Sequence, residues 1–291
     1  MRELSISEIK RLQLDMLIEF AKFCDKNSLT YYLGGGTLLG AVRHKGFIPW
    51  DDDIDIMMPR KDFNKAILLY KNEIYRLNYI TNTKAWCEQI AKLCDIRTYV
   101  YDDSFKNTEI DEINCLGIDI CPIDGLPDEI WKQKVLFLVS RMIIAIHSAS
   151  VLSFKTTKRF ADKPAGIFHW KKSLRNIVKY VMIFLFGRTD PQYWVKLLNR
   201  LVTKEDFYNH EYVAALVSCV HGSKEKMPSR IYEPKIKLEF EEYKFWAPAD
   251  YDYYLKRLYG KYMELPAPEH RVAHHGYKVY IKNNIWRKTN A

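Results

Sequence analysis

Four of the five residues from Asp51 to Asp55 are carboxylates, and the apolar residues Ile54, Ile56, Met57 and Met58 are interleaved with them or follow at once. Like charges at this spacing repel, and burial raises the cost of each ionised group. A cation set among them removes both penalties. Asp53, Asp55 and Met57 alternate with Ile54, Ile56 and Met58, so on a strand the two acids share a face. Carboxylates so placed offer oxygen ligands to one or two hard divalent cations. Mg²⁺ (Mn²⁺ as the alternative) takes one or two of them together with substrate phosphates. Asp119, in the similar run Gly117-Ile118-Asp119-Ile120-Cys121, supplies a third carboxylate if its strand lies beside the first. Asp51 and Asp52 are read as supporting groups. Cysteine and histidine ligands are missing from this stretch, and the six cysteines form no CxxC pair. No zinc site and no disulfide framework are expected.

The phosphate half of such a site lies just upstream. Gly34-Gly35-Gly36-Thr37 follows a short β-rich run and precedes a brief helix. Glycine lets a backbone approach an anion closely, and N–H groups at a helix start attract one. No GK[ST] follows at Walker A spacing. Arg43 and Lys45 carry charge for a diphosphate, Arg43 in bidentate fashion, with His44 between them.

These residues need a scaffold. Ser5 and Glu8 form a capping box, and Ile9, Leu12, Met16, Phe20 and Phe23 recur at helical spacing, which predicts a helix over 6–26. A short strand is expected at Leu29–Leu33, with Thr37 capping a helix to His44. A strand at Asp53–Met58 is closed by Pro59, and a helix follows at Lys61–Tyr70. One or two strands are expected in 86–102, and another at 117–121 that Pro122 ends. A C-terminal helix over Leu255–Leu258 stops near Gly260. Helices and strands so mixed indicate an α/β or α+β fold around a small sheet. Residues 1–130 form its core, 131–205 a basic helical insertion, and 206–291 a C-terminal part that completes it.

The charge is uneven. The chain of 291 residues carries +9, yet Trp131 to Leu201 holds fourteen Lys/Arg against two acids. That segment is +12, so the remainder sums to −3. Val135–Leu152 and Ile177–Phe186 are apolar runs within it; Arg141 interrupts the first and the second is short for a span. Apolar helices flanked by Lys/Arg, Trp170 and Trp194 suit docking on an anionic membrane surface; a helical subdomain with a solvated basic face is the alternative. No nucleic-acid partner is expected. Reduced thiols and an opening that runs straight into a helix fit a cytoplasmic protein, peripheral on the inner face of the cell membrane.

The run Leu33-Gly34-Gly35-Gly36-Thr37-Leu38-Leu39-Gly40-Ala41-Val42-Arg43-His44, with Phe47-Ile48-Pro49-Trp50-Asp51-Asp52-Asp53-Ile54-Asp55, resembles the LicD family of phosphotransferases. Fukutin and fukutin-related protein share that superfamily. Lys92 to Thr98, Ile118 to Pro127, and Tyr259-Gly260-Lys261-Tyr262-Met263 with Pro266 match as well. The resemblance covers roughly residues 5–130 and 230–275; the basic segment carries no matching motif.

The resemblance implies a nucleotidyltransferase-like fold with a small mixed sheet carrying the acids. It also implies Mg²⁺-dependent transfer of a phospho-alcohol from a CDP-linked donor to a hydroxyl of a cell-surface glycan (teichoic acid, lipopolysaccharide or capsule), with release of CMP. Phosphocholine is the expected group, and glycerol or ribitol phosphate the variants. Asp53, Asp55 and Asp119 then fall at the metal carboxylates. Gly34, Gly35, Gly36, Thr37, Arg43, His44, Lys45 and Lys92 fall on the donor side. Asp119 is the first candidate base, if it is not used as a ligand, and His44 the second. The zinc site of fukutin-related protein is not expected here. Choline would want an aromatic cage, for which Tyr251, Tyr253, Tyr254 and Trp246 are candidates. The competing readings are a nucleotidyltransferase that transfers NMP to an acceptor and a non-catalytic membrane adaptor.

Overall fold

A computed structural model describes residues 1–84, 86–101, 113–151, 170–218, 220–271 and 278–282. The chain opens with β1 (Arg2–Glu3) and α1 (Ile6–Lys26). The capping box is in place: the Glu8 N–H donates to Ser5 Oγ and the Ser5 N–H to Glu8 Oε2. Met16, Leu17, Phe20 and Cys24 bury one face of the helix in the main core. From the same face the fully buried Gln13 Nε2 donates to Asp52 O at 3.0 Å and to Gly117 O at 3.4 Å. One amide thus ties together the two segments that carry the acids.

The central sheet is mixed. After β2 (Tyr32–Leu33) come α2 (Gly35–His44), β3 (Asp55–Pro59) and α3 (Arg60–Leu69), then β4 (Tyr75–Asn78), β5 (Ala91–Asp95), β6 (Thr98–Tyr101) and β7 (Gly117–Gly125). Their order across the sheet is β2-β3-β7-β5-β4. β3 and β7 run parallel, and the other neighbours are antiparallel. Ile54, Ile56, Ile118 and Ile120 point into the core and are at most 1% exposed. The acids occupy the other face, as strand alternation requires.

The C-terminal half extends this sheet. β8 (Tyr212–Ala214) pairs with the end of β7, and β9 (Met227–Pro228) pairs with β8. β10 (Ile236–Phe240) and β11 (Tyr243–Ala247) form a hairpin, followed by α7 (Tyr251–Tyr259). β12 (Lys278–Ile281) lies between β1 and β6.

Between β7 and β8 stand three helices, α4 (Ile130–Val151), α5 (Trp170–Phe186) and α6 (Pro191–Val202). Phe137, Ile143, Leu198 and Val202 form a second core with Leu126, Leu216 and Val217. α4 buries polar and apolar residues alike. Its buried positions include Gln133, Ser140, His147 and Ser150, while Trp131, Leu138 and Met142 are more than half exposed. Three of these polar groups are bonded: Gln133 Nε2 donates to Pro127 O, the His147 ring bridges Gln89 and Cys87 O, and Ser150 Oγ donates to His147 O, while Ser140 Oγ has no partner among the described residues. By length and composition α4 could cross a membrane; its most apolar 18 residues have a mean hydropathy of 1.6 and are 33% buried.

The mixed α/β class is as expected, and several boundaries differ. β2 is confined to Tyr32–Leu33. Gly34, not Thr37, is the N-cap of α2, because the turn into the helix needs an extended residue followed by one at positive φ. β3 begins at Asp55, so Asp53 lies in the extended segment that leads into it. β7 runs through Pro122 to Gly125. Pro122 is tolerated there because β5 pairs only as far as Ile120 and β8 begins at Asp124, so the missing N–H falls in a gap between neighbours. Lys155, Lys158, Arg159, Lys163, His274 and His275 lie outside the described residues.

Candidate active site

Strand register assembles the centre. Asp55 on β3 faces Asp119 on β7, and Asp119 faces Lys92 on β5. Directly opposed residues share a face, so the three form one row across the sheet. Lys92 Nζ lies 3.3 Å from Asp119 Oδ1 and 3.6 Å from Glu88 Oε2. Asp53, two residues before the strand begins, joins Asp51, Asp55 and Asp119 in lining a cavity of about 720 Å³.

The glycines explain how the acids come so close to α2. Gly35 has φ +45°, a left-handed value that side chains resist. A Cβ there would stand 2.7 Å from Asp55 Oδ2, and one on Gly36 would stand 2.7 Å from Asp51 Oδ2. The glycines therefore admit two carboxylates against the N-terminal turn of α2, where the helix dipole favours negative charge. The Gly35 N–H points at Tyr254 Oη, 3.4 Å away. Gly34 lies beneath Met57, and its N–H donates to Asp55 O. Thr37 is buried off the cavity wall; its Oγ1 accepts the Asp55 N–H at 2.8 Å and fixes the start of β3.

The basic residues separate. Arg43 lines the cavity, and its Nη1 donates to Tyr262 O at 2.8 Å, which ties α2 to the loop after α7. Burial lowers its pKa. Its Nε donates to His44 Nε2. His44 is held below the ordinary imidazole range, by burial first and the Arg43 charge second, and packs edge-on to Trp50. His44, Lys45 and Lys92 are not among the lining residues, and Lys45 is an exposed cap at the end of α2.

The C-terminal half also contributes to the lining, with His221, Glu225, Tyr254, Tyr259 and Lys261. Of the aromatic candidates, only Tyr254 reaches the cavity. Trp246 lies under Lys235 and Lys237 and bonds Asp25. The Tyr259-Gly260-Lys261-Tyr262 run, part of the resemblance noted in the sequence, is the signal available for these residues. Glu225 offered none, since Lys224-Glu225-Lys226 reads as solvated charge.

Among the described residues, no three Asp, Glu, His or Cys converge into a ready-made metal cage. Asp53, Asp55 and Asp119 nonetheless offer oxygen donors only, on one cavity wall. That set suits a hard cation that takes one or two carboxylates and completes its shell with phosphate and water. The donor chemistry fits Mg²⁺.

Residues 28–149 match the family model described as LicD/FKTN/FKRP, nucleotidyltransferase domain. Over 97% of its length the chain is 29% identical to the lipopolysaccharide cholinephosphotransferase LicD of Haemophilus influenzae, all of which is covered. Uncharacterised proteins of Rickettsia typhi and Rickettsia prowazekii are 41% and 47% identical over 78 and 58 residues, a quarter or less of either chain. Residues 28–149, which carry the match to the LicD family model, hold the glycine turn, the Asp53–Asp55 pair and Asp119.

Proposed function

We propose that the protein transfers phosphocholine from a CDP-linked donor to a hydroxyl of a cell-surface glycan, with lipopolysaccharide the first acceptor to test. The observation that carries this reading is the set Asp53, Asp55 and Asp119 on one cavity wall, in a chain similar from end to end to a lipopolysaccharide cholinephosphotransferase. The acceptor oxygen attacks the phosphorus that bears choline. The bond from that phosphorus to the bridging oxygen breaks, and CMP departs with the electron pair. The hydroxyl proton passes to a base.

Asp53 and Asp55, with Asp119, would hold Mg²⁺, which neutralises diphosphate charge when bound. The chain's own groups do the positioning. Thr37 and Gln13 fix the acid-bearing segments. Arg43 joins α2 to the 262–264 loop and presents its charge to the cavity. Lys92 stands ready to move from Asp119 to a phosphate oxygen. Asp119 faces the cavity and serves as the base when it is not coordinating; His44, bonded to Arg43 off the wall, is the weaker choice.

The test is CMP release from CDP-choline, CDP-glycerol and CDP-ribitol with lipopolysaccharide as acceptor. CDP-choline should turn over fastest, and Asp55→Ala should lower kcat/KM by roughly 10³ or more, the several kcal/mol expected of a metal clamp. Chelation should stop turnover and Mg²⁺ or Mn²⁺ restore it. Label from the nucleotide base appearing on the acceptor would replace this reading with nucleotidyl transfer, and turnover indifferent to chelator would remove the metal.

A further inference from the structure

The part of the cavity lining that comes from the C-terminal half holds a second acid. Glu225 lies in a single 3-10 turn, Gly222–Glu225, and is 7% exposed, yet it lines the cavity. Its sole hydrogen bond among the described residues is the one that Oε1 accepts from the His221 backbone N–H at 3.2 Å. The nearby cations are directed elsewhere. Lys226 Nζ sits over the Tyr212 ring and donates to Gln133 Oε1. Arg257 donates to the carbonyls of Lys226 and Ser223. Lys224 is exposed, and Lys261 pairs with Glu264.

Aromatic rings share the cavity with this carboxylate. Tyr254 and Tyr259 of α7 line the same cavity, and the His221 ring meets Tyr259 edge-on at 5.3 Å. Burial first, and neighbouring charge after it, raise both phenols; Glu225 contributes to each. Asp55, Asp51 and Asp53 raise the Tyr259 phenol as well, and its ring lines the cavity that both acidic groups share. A desolvated carboxylate with no cation paired to it among the described residues is costly. Aromatic rings in the same cavity suit a bulky, weakly hydrated cation better than a metal ion.

The geometry points to Glu225, Tyr254 and Tyr259 as the subsite for the quaternary ammonium head of the transferred alcohol, with the diphosphate on the Asp53, Asp55 and Asp119 side. This rests on the phospho-alcohol reading and deepens it. It makes Glu225 a specificity residue for the donor's alcohol.

The test compares CDP-choline with its uncharged carbon isostere, CDP-3,3-dimethylbutanol, using the full chain and lipopolysaccharide. The wild type should prefer the charged donor by roughly tenfold or more in kcat/KM. Glu225→Gln, isosteric with the acid, should erase most of that preference, acting mainly on KM. Equal loss on both donors through kcat would make Glu225 a proton acceptor and overturn the assignment, as would a wild type with no preference. Choline chloride alone, titrated by calorimetry, reads the subsite without turnover. The wild type should bind it at least tenfold more tightly than the Gln variant. If no CDP-alcohol yields CMP, the transfer reading fails while this titration still decides the subsite; folded wild type that binds no choline overturns it.

Discussion

At the residue scale, Glu225 conflicts most sharply with its surroundings. Burial raises its pKa to about 7, against an ordinary value near 4.5. Below the ordinary value the side chain is neutral in both folded and unfolded chains. As pH rises from there towards 7, the unfolded chain loses its proton first, so the fold loses stability with rising pH. The full penalty is about 3 kcal/mol. Glu225→Gln should therefore match the wild type near pH 4.5 and exceed it in stability at pH 8, as read from denaturant midpoints. A wild-type-to-variant gap that stays constant across this range would refute the burial argument. Such a stability cost at a cavity wall is the mark of a group retained for binding. The Asp53, Asp55 and Asp119 carboxylates were legible in the sequence for a simple reason. Alternation with isoleucine fixes a shared face for Asp53 and Asp55, and the repeat of that pattern around Asp119 suggests a neighbouring strand. Register then supplies what spacing cannot: Asp119 lies between Asp55 and Lys92. Glu225 was illegible because its burial comes from chain segments that meet only in the folded protein.

At the scale of elements, the site depends on how β3, α3 and β7 are locked together. Arg60 opens α3, and Asp124 lies near the end of β7. The guanidinium grips the carboxylate with both Nε–Oδ1 and Nη2–Oδ2 at 2.7 Å, and the Asp124 side chain is fully buried. The geometry is bidentate and dry, so removing one partner strands a charge. Asp124→Ala should cost roughly 3–5 kcal/mol in urea unfolding, whereas Arg60→Met with Asp124→Leu should recover most of it. A single variant within about 0.5 kcal/mol of wild type would show that the pair contributes little to the lock. α1 and α7 could be read from periodicity, capping and the terminal glycine. β7 could not, because a proline inside a strand ordinarily argues for its end, and only the gap between β5 and β8 makes Pro122 harmless. α2 was placed with the wrong cap because its first turn is set by the close approach of Asp55 and Asp51, a tertiary demand.

At the scale of the whole molecule, positive charge and exposed apolar side chains fall in the same segment of the chain. The segment from Trp131 to Leu201 carries +12 while the remainder is −3. The charge asymmetry is plain in the sequence. The direction of the apolar faces is not, because α4 is apolar almost all round and helical periodicity gives no orientation. The fold decides it by turning Gln133, Ser140 and His147 inward. Trp131, Leu138 and Met142 of α4, with Phe184 and Leu185 of α5, are left between 56% and 78% exposed. Exposed apolar helices among lysines and arginines match the interface of an anionic bilayer, where apolar faces sink below the headgroups and each nearby basic residue adds about 1 kcal/mol. We therefore propose peripheral attachment to an anionic membrane, which would bring the cavity to an acceptor carried on lipid. The protein should sediment with vesicles containing phosphatidylglycerol and not with pure phosphatidylcholine. Binding should weaken as salt shortens the Debye length from about 10 Å at 0.1 M to about 3 Å at 1 M. Trp131→Ser with Phe184→Ser should reduce binding at low salt by at least tenfold while leaving CMP release from soluble donor and acceptor intact. Equal failure to bind both vesicle types would leave α4 and α5 as a helical subdomain with a solvated basic face, and the apolar surface would then belong to a protein contact.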